Sequence, residues 1–399
     1  MVVAMKIGIV FHAHPAESIW SHTRFLRAVG RVLVAEGDEV VAFYPTRDGR
    51  PRGAPSWEGI QAAPVRSWSS GGRTRLPSWE VPLRVRGELD RSFDVIISTA
   101  DSGAGWLFNR AHRLGILGVD WFQGVGPRFL GFGERTRPRD QLGLGFERWI
   151  IPWFEKRNVR KADLIIACSS MNRRDLRALY GIPEEKIAVL PNGFDPVPPI
   201  SPEERRQARS DLGLPEGTFY ASFVGVDWKR KGLDVLRDSV HLARARGAPW
   251  RILQAGSTKD TTEEEIGFGF IDGKEKRRML AASDAFVFPT RYEGSPLPIP
   301  EAAALGLPIV TTPDVSVDLG TRGRDLLEVP TGDAKALADV LVELAHDPGR
   351  MRRVGESGHA AFAQWTWEAQ AHELRRVLAK ALERVHSPTR AGGRGGEAP

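Results

Sequence analysis

The chain has 399 residues, of which 41% are hydrophobic and 27% are charged, a composition typical of a globular protein with two domains. A single cysteine, Cys168, excludes an internal disulfide, and the lack of a run of eighteen apolar residues predicts no membrane-spanning helix. Residues 1–195 carry 28 Lys and Arg against 21 Asp and Glu, so the positive net charge comes from the first half. No nucleic-acid-binding motif accompanies this charge, and we expect no nucleic acid among the partners.

The first half alternates between strand and helix patterns. Strands are predicted at 6–11, 39–44, 94–99, 118–122 and 163–167, and helices at 19–35 and 106–113. The first strand is followed at once by His and Pro, and it lacks the longer apolar core of a signal peptide. Residues 45–91 are too many for an ordinary loop, and they are predicted to be a functional insertion or a partly disordered segment.

The second half repeats the alternation after a Pro-rich segment at 196–202, which is predicted to be an interdomain linker. Strands are predicted at 219–224, 250–255, 285–289 and 308–311, and helices at 232–246, 334–345 and 367–384. Strands separated by helices predict two doubly wound parallel sheets, an α/β fold. Ligands of such sheets bind beyond the carboxyl ends of the strands, here in a cleft between the domains. Residues 387–399 are predicted to be a disordered tail.

The strongest chemical signal lies between the strands predicted at 285–289 and 308–311. There, Glu293 and Glu301 flank a loop rich in Gly and Pro. Glu301 opens a predicted helix, whose unpaired N–H groups and positive dipole suit a diphosphate. A carboxylate at this place can accept hydrogen bonds from sugar hydroxyls. By spacing alone, a solvated Glu293 and a favourable first-turn position for Glu301 explain the pattern equally well.

A second signal, at residues 223–232, again reads strand, loop and helix. Gly225 lets the backbone approach a ligand, while Arg230 and Lys231 supply positive charge for a phosphate. Most basic turns are simply solvated. This one leaves the carboxyl end of a predicted strand, which favours a binding role.

Taken in chain order, these motifs resemble the retaining glycosyltransferases of the GT-B fold, group one (family four). The resemblance is specific from about Lys161 to Trp367, and it includes residues 180–187, residues 190–195 and the seven residues between the two glutamates. Residues 365–367 resemble the family's closing segment, where the last helix returns to the first domain.

This resemblance implies two Rossmann-like domains that face a central cleft. Residues 1–195, joined by the helix at 366–385, would bind the acceptor, and residues 196–365 would bind the nucleotide-sugar. Glu301 would bind the ribose and Glu293 the transferred sugar, while Lys231, helped by Arg230, would neutralise the diphosphate leaving group. Further donor contacts would come from Gly225, Gly294, Ser295, Leu297 and Phe270.

The activity implied by the resemblance is transfer of a hexose-type sugar, with retention and without a metal or other cofactor. The donor would be a nucleoside diphosphate sugar, most often of UDP or GDP. The acceptor hydroxyl would belong to a glycan, a lipid-linked molecule or a small molecule. The positive first half suggests an anionic acceptor or an acidic membrane surface, and an arginine-rich genome bias explains it equally well. We expect a cytoplasmic enzyme, with possible peripheral attachment to the inner face of the membrane.

Three positions depart from the family pattern. Val226 stands where an arginine is usual, and Arg230 is the predicted substitute. Pro296 stands where a second glycine is usual, which removes one N–H donor. The segment at 11–15 replaces a glycine-rich loop after the first strand.

Four residues of the first half are candidates for lining the acceptor and sugar cleft. They are His12, His14, Asp101 and Gln123. A helix-capping role explains Asp101 equally well. The His-x-His spacing also suits a metal, but no Asp-rich motif follows it, and we expect no metal site. Two other functions remain open, namely a nucleotide-sugar epimerase of the same fold and a non-catalytic sugar- or nucleotide-binding protein.

Overall fold

The computed structural model describes residues 4–11, 21–46, 56–57, 59–67, 80–99, 104–122, 152–315 and 320–386. They form two compact units, each with its own parallel sheet. One unit contains the described residues up to Asn192 together with the last helix, and the other contains Gly193–Thr366. No helix in the described part of the chain is long and apolar enough to cross a membrane.

The described residues of the first unit form an eight-stranded sheet and the helices that connect its strands. The strands are β1 (Lys6–Val10), β2 (Glu39–Thr46), β3 (Ser56–Trp57), β4 (Ile60–Arg66), β5 (Val95–Ser98), β6 (Leu117–Phe122), β7 (Leu164–Ala167) and β8 (Ile187–Val189). The helices are α1 (Ser21–Ala35), α2 (Glu80–Glu88), α3 (Ala104–Leu114), α4 (152–161) and α5 (Ser170–Tyr180). The order is β3-β4-β2-β1-β5-β6-β7-β8, and every pairing is parallel except that of β3 with β4.

The packing of this unit follows from its apolar patterns. All four residues of β5 are buried, as expected for a strand covered on both faces. In α3, Leu107, Phe108 and Ala111 recur at helical spacing and are fully buried. Gly118 in β6 makes room for this helix, because a Cβ there would lie 2.9 Å from the Phe108 ring.

The second unit has a six-stranded sheet and six helices among its described residues. The strands are β9 (Phe219–Val224), β10 (Trp250–Ala255), β11 (Glu265–Gly269), β12 (Ala285–Phe288), β13 (Ile309–Thr311) and β14 (Leu327–Glu328). The helices are α6 (Pro202–Asp211), α7 (Leu233–Ala245), α8 (Gly273–Ala282), α9 (Pro298–Ala304), α10 (Ala334–His346) and α11 (Pro348–Phe362). The order is β11-β10-β9-β12-β13-β14, with all neighbours parallel.

The prediction of two parallel α/β sheets is confirmed. The stretch 45–91, predicted to be a functional insertion or a partly disordered segment, has regular structure in its described residues. This stretch contains the end of β2, the strands β3 and β4, and helix α2, and β4 pairs in parallel with β2. Strand β4 is hard to recognise from the sequence. It contains Pro64, which is rare inside strands, and its buried and exposed residues do not alternate regularly. The predicted tail at 387–399 lies outside the described residues.

The last helix, α12 (Trp367–His386), packs against α1 in the first unit. Its Arg375 makes a bidentate ion pair with Asp38, with Nε 2.7 Å from Oδ2 and one terminal nitrogen 3.0 Å from Oδ1. The carboxylate of Asp38 is fully buried and also accepts a hydrogen bond from the backbone N–H of Met5. Hydrogen bonding to Asp38 raises the pKa of Arg375 above its ordinary value. The ion pair therefore ties α12 to the start of the sheet.

Replacing Arg375 by Met should destabilise the first unit by about 3 kcal/mol, because it leaves the buried Asp38 carboxylate without its counter-ion. Arg376→Met is the matched control, since Arg376 is exposed and, among the described residues, its ion pair is with the partly exposed Glu373 of the same helix. Urea unfolding monitored by tryptophan fluorescence and circular dichroism measures both effects. Equal losses of stability in the two variants would contradict the role given to Arg375.

Candidate active site

The candidate site lies where the strand order of the second sheet reverses. The chain runs from β9 outward to β10 and β11, and it then returns to place β12 on the other side of β9. In open α/β sheets, ligands bind at this reversal, beyond the carboxyl ends of the strands. The loops that leave β9 and β12 are those that carry the basic turn and the first glutamate of the sequence motifs.

In the loop after β9, the side chain of Lys231 packs against the backbone of Gly225. A Cβ at Gly225 would lie 2.3 Å from Cδ of Lys231, so a larger residue would displace the lysine side chain from this position. The Nζ of Lys231 lies 5.3 Å from the centroid of the Phe288 ring, within cation–π distance. The lysine side chain is only 12% exposed. Its ammonium group is therefore presented from a fixed stem.

The two loops approach each other closely at a second glycine. Gly232 has φ +81°, and a Cβ on it would lie 2.0 Å from the carbonyl oxygen of Pro289. The backbone N–H of Arg291 donates to the carbonyl of Arg230 at 2.8 Å. The guanidinium of Arg291 also pairs in a bidentate way with Asp234, at 2.8 and 2.9 Å. These contacts hold the loops in one arrangement.

Arg230 is the centre of the hydrogen-bonding network between the loops. Its Nε donates to Asp227 Oδ2 at 2.7 Å, and one terminal nitrogen donates to the carbonyl of Tyr292 at 2.8 Å and to Glu293. The Nζ of Lys231 lies 3.8 Å from the same Glu293 oxygen. The structure thus brings together Arg230, Lys231 and Glu293, all predicted from the sequence, while Asp227 and Tyr292 were missed.

Burial lowers the pKa of Arg230, but the Glu293 carboxylate and the hydrogen bonds to Asp227 and Glu293 raise it by more. The net effect is a pKa above the ordinary value, so the guanidinium keeps its charge. With Arg230 and Lys231 both close to Glu293, the cluster suits a ligand that carries several negative charges.

The loop that follows Glu293 offers backbone donors, although fewer than a glycine-rich loop would. The N–H of Glu293 itself donates to the carbonyl of Asp314 at 3.2 Å. Gly294 is buried, Ser295 and Leu297 are partly exposed, and α9 begins directly after Leu297. Pro298 and Pro300 lie in the first turn of α9 and carry no N–H. The helix therefore contributes less to anion binding than its position in the motif predicts.

Glu301, in α9, is paired with a lysine that the motifs did not single out. Its Oε2 lies 2.7 Å from Nζ of Lys276 in α8. This pairing joins residues that are 25 positions apart, and only the folded structure brings them together.

Phe270 lies directly after β11, at the carboxyl edge of the sheet, and its side chain is 74% exposed. Val226, after β9, is 60% exposed at the same edge. Large apolar side chains that remain exposed at this edge of the sheet are suited to contact a flat ring of a ligand. The predicted role of Phe270 in donor binding is compatible with this exposure and stays a prediction.

The four candidates of the first half cannot be placed. His12, His14, Asp101 and Gln123 lie outside the described residues. In the first sheet the strand order reverses between β1 and β5. His12, His14 and Asp101 follow these two strands in the chain.

Replacing Gly232 by Ala should disrupt the contact between the two loops. The positive φ costs about 1–2 kcal/mol for any residue with a Cβ, and the overlap with the Pro289 carbonyl adds about 1–3 kcal/mol. Gly247→Ala is the matched control at the other end of α7, because Gly247 has φ +85° and nothing lies within 4 Å of its Cβ position. Thermal unfolding of both variants measures the difference, and equal losses would show that the loops do not need this close approach.

Comparison with known proteins places the chain in a family. Residues 22–197 match the family described as Glycosyltransferase Family 4, and residues 218–347 match the family described as Glycosyl transferases group 1. A D-inositol 3-phosphate glycosyltransferase of Nocardia farcinica is 29% identical over 258 residues, which are 60% of this chain and 57% of that protein. The chain thus spans about three fifths of the length of the curated relatives that it matches.

Solved structures share the fold at lower sequence identity. Sucrose-phosphate synthase from Thermosynechococcus elongatus has a TM-score of 0.73 at 19% identity, covering 95% of this chain and 100% of that chain. The Anabaena protein HepE, solved in complex with UDP and glucose, has a TM-score of 0.67 at 16% identity, covering 94% of this chain and 99% of that chain. From the family matches and these neighbours, we conclude that the chain has the GT-B fold and belongs to the group 1 glycosyltransferases.

Proposed function

We propose that the chain transfers a hexose-type sugar from a nucleoside diphosphate sugar to an acceptor hydroxyl, with retention at the anomeric carbon and without a metal. The observation that carries this proposal is the cluster of Arg230, Lys231 and Glu293 at the reversal point of the second sheet. The three side chains are only 10%, 12% and 16% exposed. Charges held away from water interact more strongly with a bound charge than solvated ones do.

The two cations would neutralise the diphosphate leaving group. Positive charge is needed where negative charge develops as the bond to the sugar breaks, and fixed groups need no reorganisation at that moment. Without a donor, the carboxylates of Glu293 and Asp227 together offset the charges of Arg230 and Lys231. A bound diphosphate would take over this role, and the Glu293 carboxylate would then be available to accept hydrogen bonds from the transferred sugar. The cluster would thus be stable both before and after the donor binds.

The remaining donor contacts would be distributed along the same edge of the sheet. Glu301 would accept hydrogen bonds from the ribose hydroxyls, and Phe270 would contact the base. The amides of Gly294, Ser295 and Leu297 would donate to the phosphates and the sugar. Arg230 and Lys231 would supply the charge for which other enzymes use a divalent cation.

Retention would follow if the acceptor hydroxyl attacks on the face from which the diphosphate leaves. The bond between the anomeric carbon and the phosphate oxygen breaks, and the bond to the acceptor oxygen forms. The proton of the acceptor hydroxyl passes to the leaving phosphate oxygen, which needs no side-chain base. Arg230 and Lys231 would hold this oxygen in place during the transfer.

The donor and the acceptor are proposed from the charge of the chain and from its relatives. UDP and GDP sugars are the first candidates, and HepE, which has the same fold, binds UDP and glucose. The name of the Nocardia relative describes a phosphorylated acceptor, and the excess of positive charge in residues 1–195 suits an anionic or lipid-linked one. We propose that the first unit binds this acceptor, in the cytoplasm or at the inner face of the membrane.

Lys231→Ala should lower kcat about 100-fold, because it removes a charge that stabilises the leaving group. Glu301→Ala should instead raise the KM for the donor about tenfold, because it removes charged hydrogen bonds to the ribose. Lys335→Ala and Glu356→Ala are matched controls on exposed surface of the same unit. Steady-state assays of nucleoside diphosphate release from UDP, GDP and ADP sugars, run in EDTA, measure kcat and the KM for the donor. Full activity of both site variants, or activity that only a divalent ion restores, would contradict the proposal.

The first-formed product should keep the anomeric configuration of the donor sugar. Proton NMR of the product, recorded early in the reaction before any mutarotation of a free sugar, distinguishes the two configurations. An inverted product would overturn the proposed course of the reaction. Release of a rearranged free sugar without an acceptor would instead indicate an epimerase.

A further inference from the structure

We infer that Lys276 is a specificity-determining residue that recognises the ribose hydroxyls of the donor together with Glu301. The inference rests on the proposed function, which assigns Glu301 to the ribose. It adds a second recognising group, drawn from a helix that carries none of the sequence motifs.

Lys276 and Glu301 form a close, mostly buried ion pair. The Nζ of Lys276 lies 2.7 Å from Oε2 of Glu301, and the two side chains are 25% and 21% exposed. An ion pair that is mostly buried is screened less by salt than one on the surface. Because part of each side chain still reaches solvent, a ligand can contact the pair without unfolding the site.

Helix α8 holds Lys276 in its orientation toward Glu301. Asp272 and Glu275 form a capping box at the start of the helix, in which the N–H of Glu275 donates to Asp272 Oδ1 at 2.8 Å. Arg277 makes a bidentate pair with Glu204 in α6, at 2.7 and 2.9 Å. The residues on both sides of Lys276 are therefore anchored, and α8 cannot turn to carry Lys276 away from Glu301.

The Glu301 carboxylate and the Lys276 ammonium group together complement the hydrogen-bonding groups of a diol. A carboxylate only accepts hydrogen bonds, and an ammonium group only donates them. A hydroxyl does both, so a ribose hydroxyl beside this pair can donate to Glu301 and accept from Lys276. A carboxylate alone would leave the acceptor side of the hydroxyl to water. Two vicinal hydroxyls use the pair fully, and a deoxyribose loses one of the contacts.

The position of α8 in the chain is also consistent with a role beside the ribose. Phe270, the proposed contact of the base, lies in the loop that leads from β11 into α8. Lys276 lies in the second turn of that helix. The base and one side of the ribose would therefore be recognised by a single β-strand, loop and helix.

Calorimetric titration with ribose and deoxyribose nucleotides tests the inference. The wild type is first titrated with UDP, GDP and ADP, and the tightest binder is then compared with its 2′-deoxy and 3′-deoxy analogues. Lys276→Met should weaken binding of the ribonucleotide about tenfold, the effect of losing one charged hydrogen bond. It should weaken binding of at least one deoxy analogue less than about threefold. Lys276→Arg keeps the positive charge and the donors, and it should restore most of the affinity.

Lys274→Met is the matched control, because Lys274 is exposed on the same helix, and it should bind all nucleotides like the wild type. A purely structural role for Lys276 would weaken the ribonucleotide and both deoxy analogues by the same factor, and that result would overturn the inference. Unchanged binding in Lys276→Met would also overturn it, and the proposed function would still stand. If the wild type bound none of the three nucleoside diphosphates, the proposed function would fail and this inference with it.

Discussion

The Glu293 carboxylate contacts two cations from a neighbouring loop, and the edge of the second sheet is organised around that contact. Arg230 reaches Glu293 directly, while Lys231 reaches it from a stem that lies against Gly225. Neither contact would form if the loops after β9 and β12 were further apart. Gly232 permits this closeness, because a side chain at its position would overlap the Pro289 carbonyl. The ion pairs of Glu293 therefore depend on the close approach of the two loop backbones at Gly232.

The same principle is seen at the second glutamate of the motif. Glu301 has its own partner, Lys276, and so each of the two motif glutamates lies beside a cation. Uncompensated charge at a half-buried site would destabilise the fold, since desolvation penalises any charge without a partner. A site that binds a charged ligand thus needs counter-ions for its unliganded state. The ion pairs of this unit satisfy that need, and they also position the side chains that we propose as donor contacts.

The sequence predicted many of the strands and helices and drew attention to the motif residues, but it did not predict the partners of those residues. The predicted strands at 219–224 and 250–255 match β9 and β10 residue for residue, because both are short, mainly apolar segments, as expected of buried parallel strands. The cluster formed by Arg230, Lys231 and Glu293 was likewise foreseen as a group. Lys276 was not, since it is separated from Glu301 by a strand and two loops, and nothing in its own helix marks it. Strand β4 was missed because it contains Pro64, a residue that is rare inside strands. Long-range pairing and interrupted strands are decided by tertiary contacts that local patterns do not contain.

The return of α12 to the first unit has a consequence for biosynthesis. Its partner residues, such as Asp38, leave the ribosome early, whereas α12 follows only after all of Gly193–Thr366 has been made. Domains generally fold as units during synthesis, with the N-terminal one first. Every described residue of the second unit lies within the one stretch Gly193–Thr366, so this unit can complete its fold while the first still waits for its last helix. The nascent first unit would meanwhile expose the apolar surface that Ala371, Leu374 and Leu378 of α12 later cover.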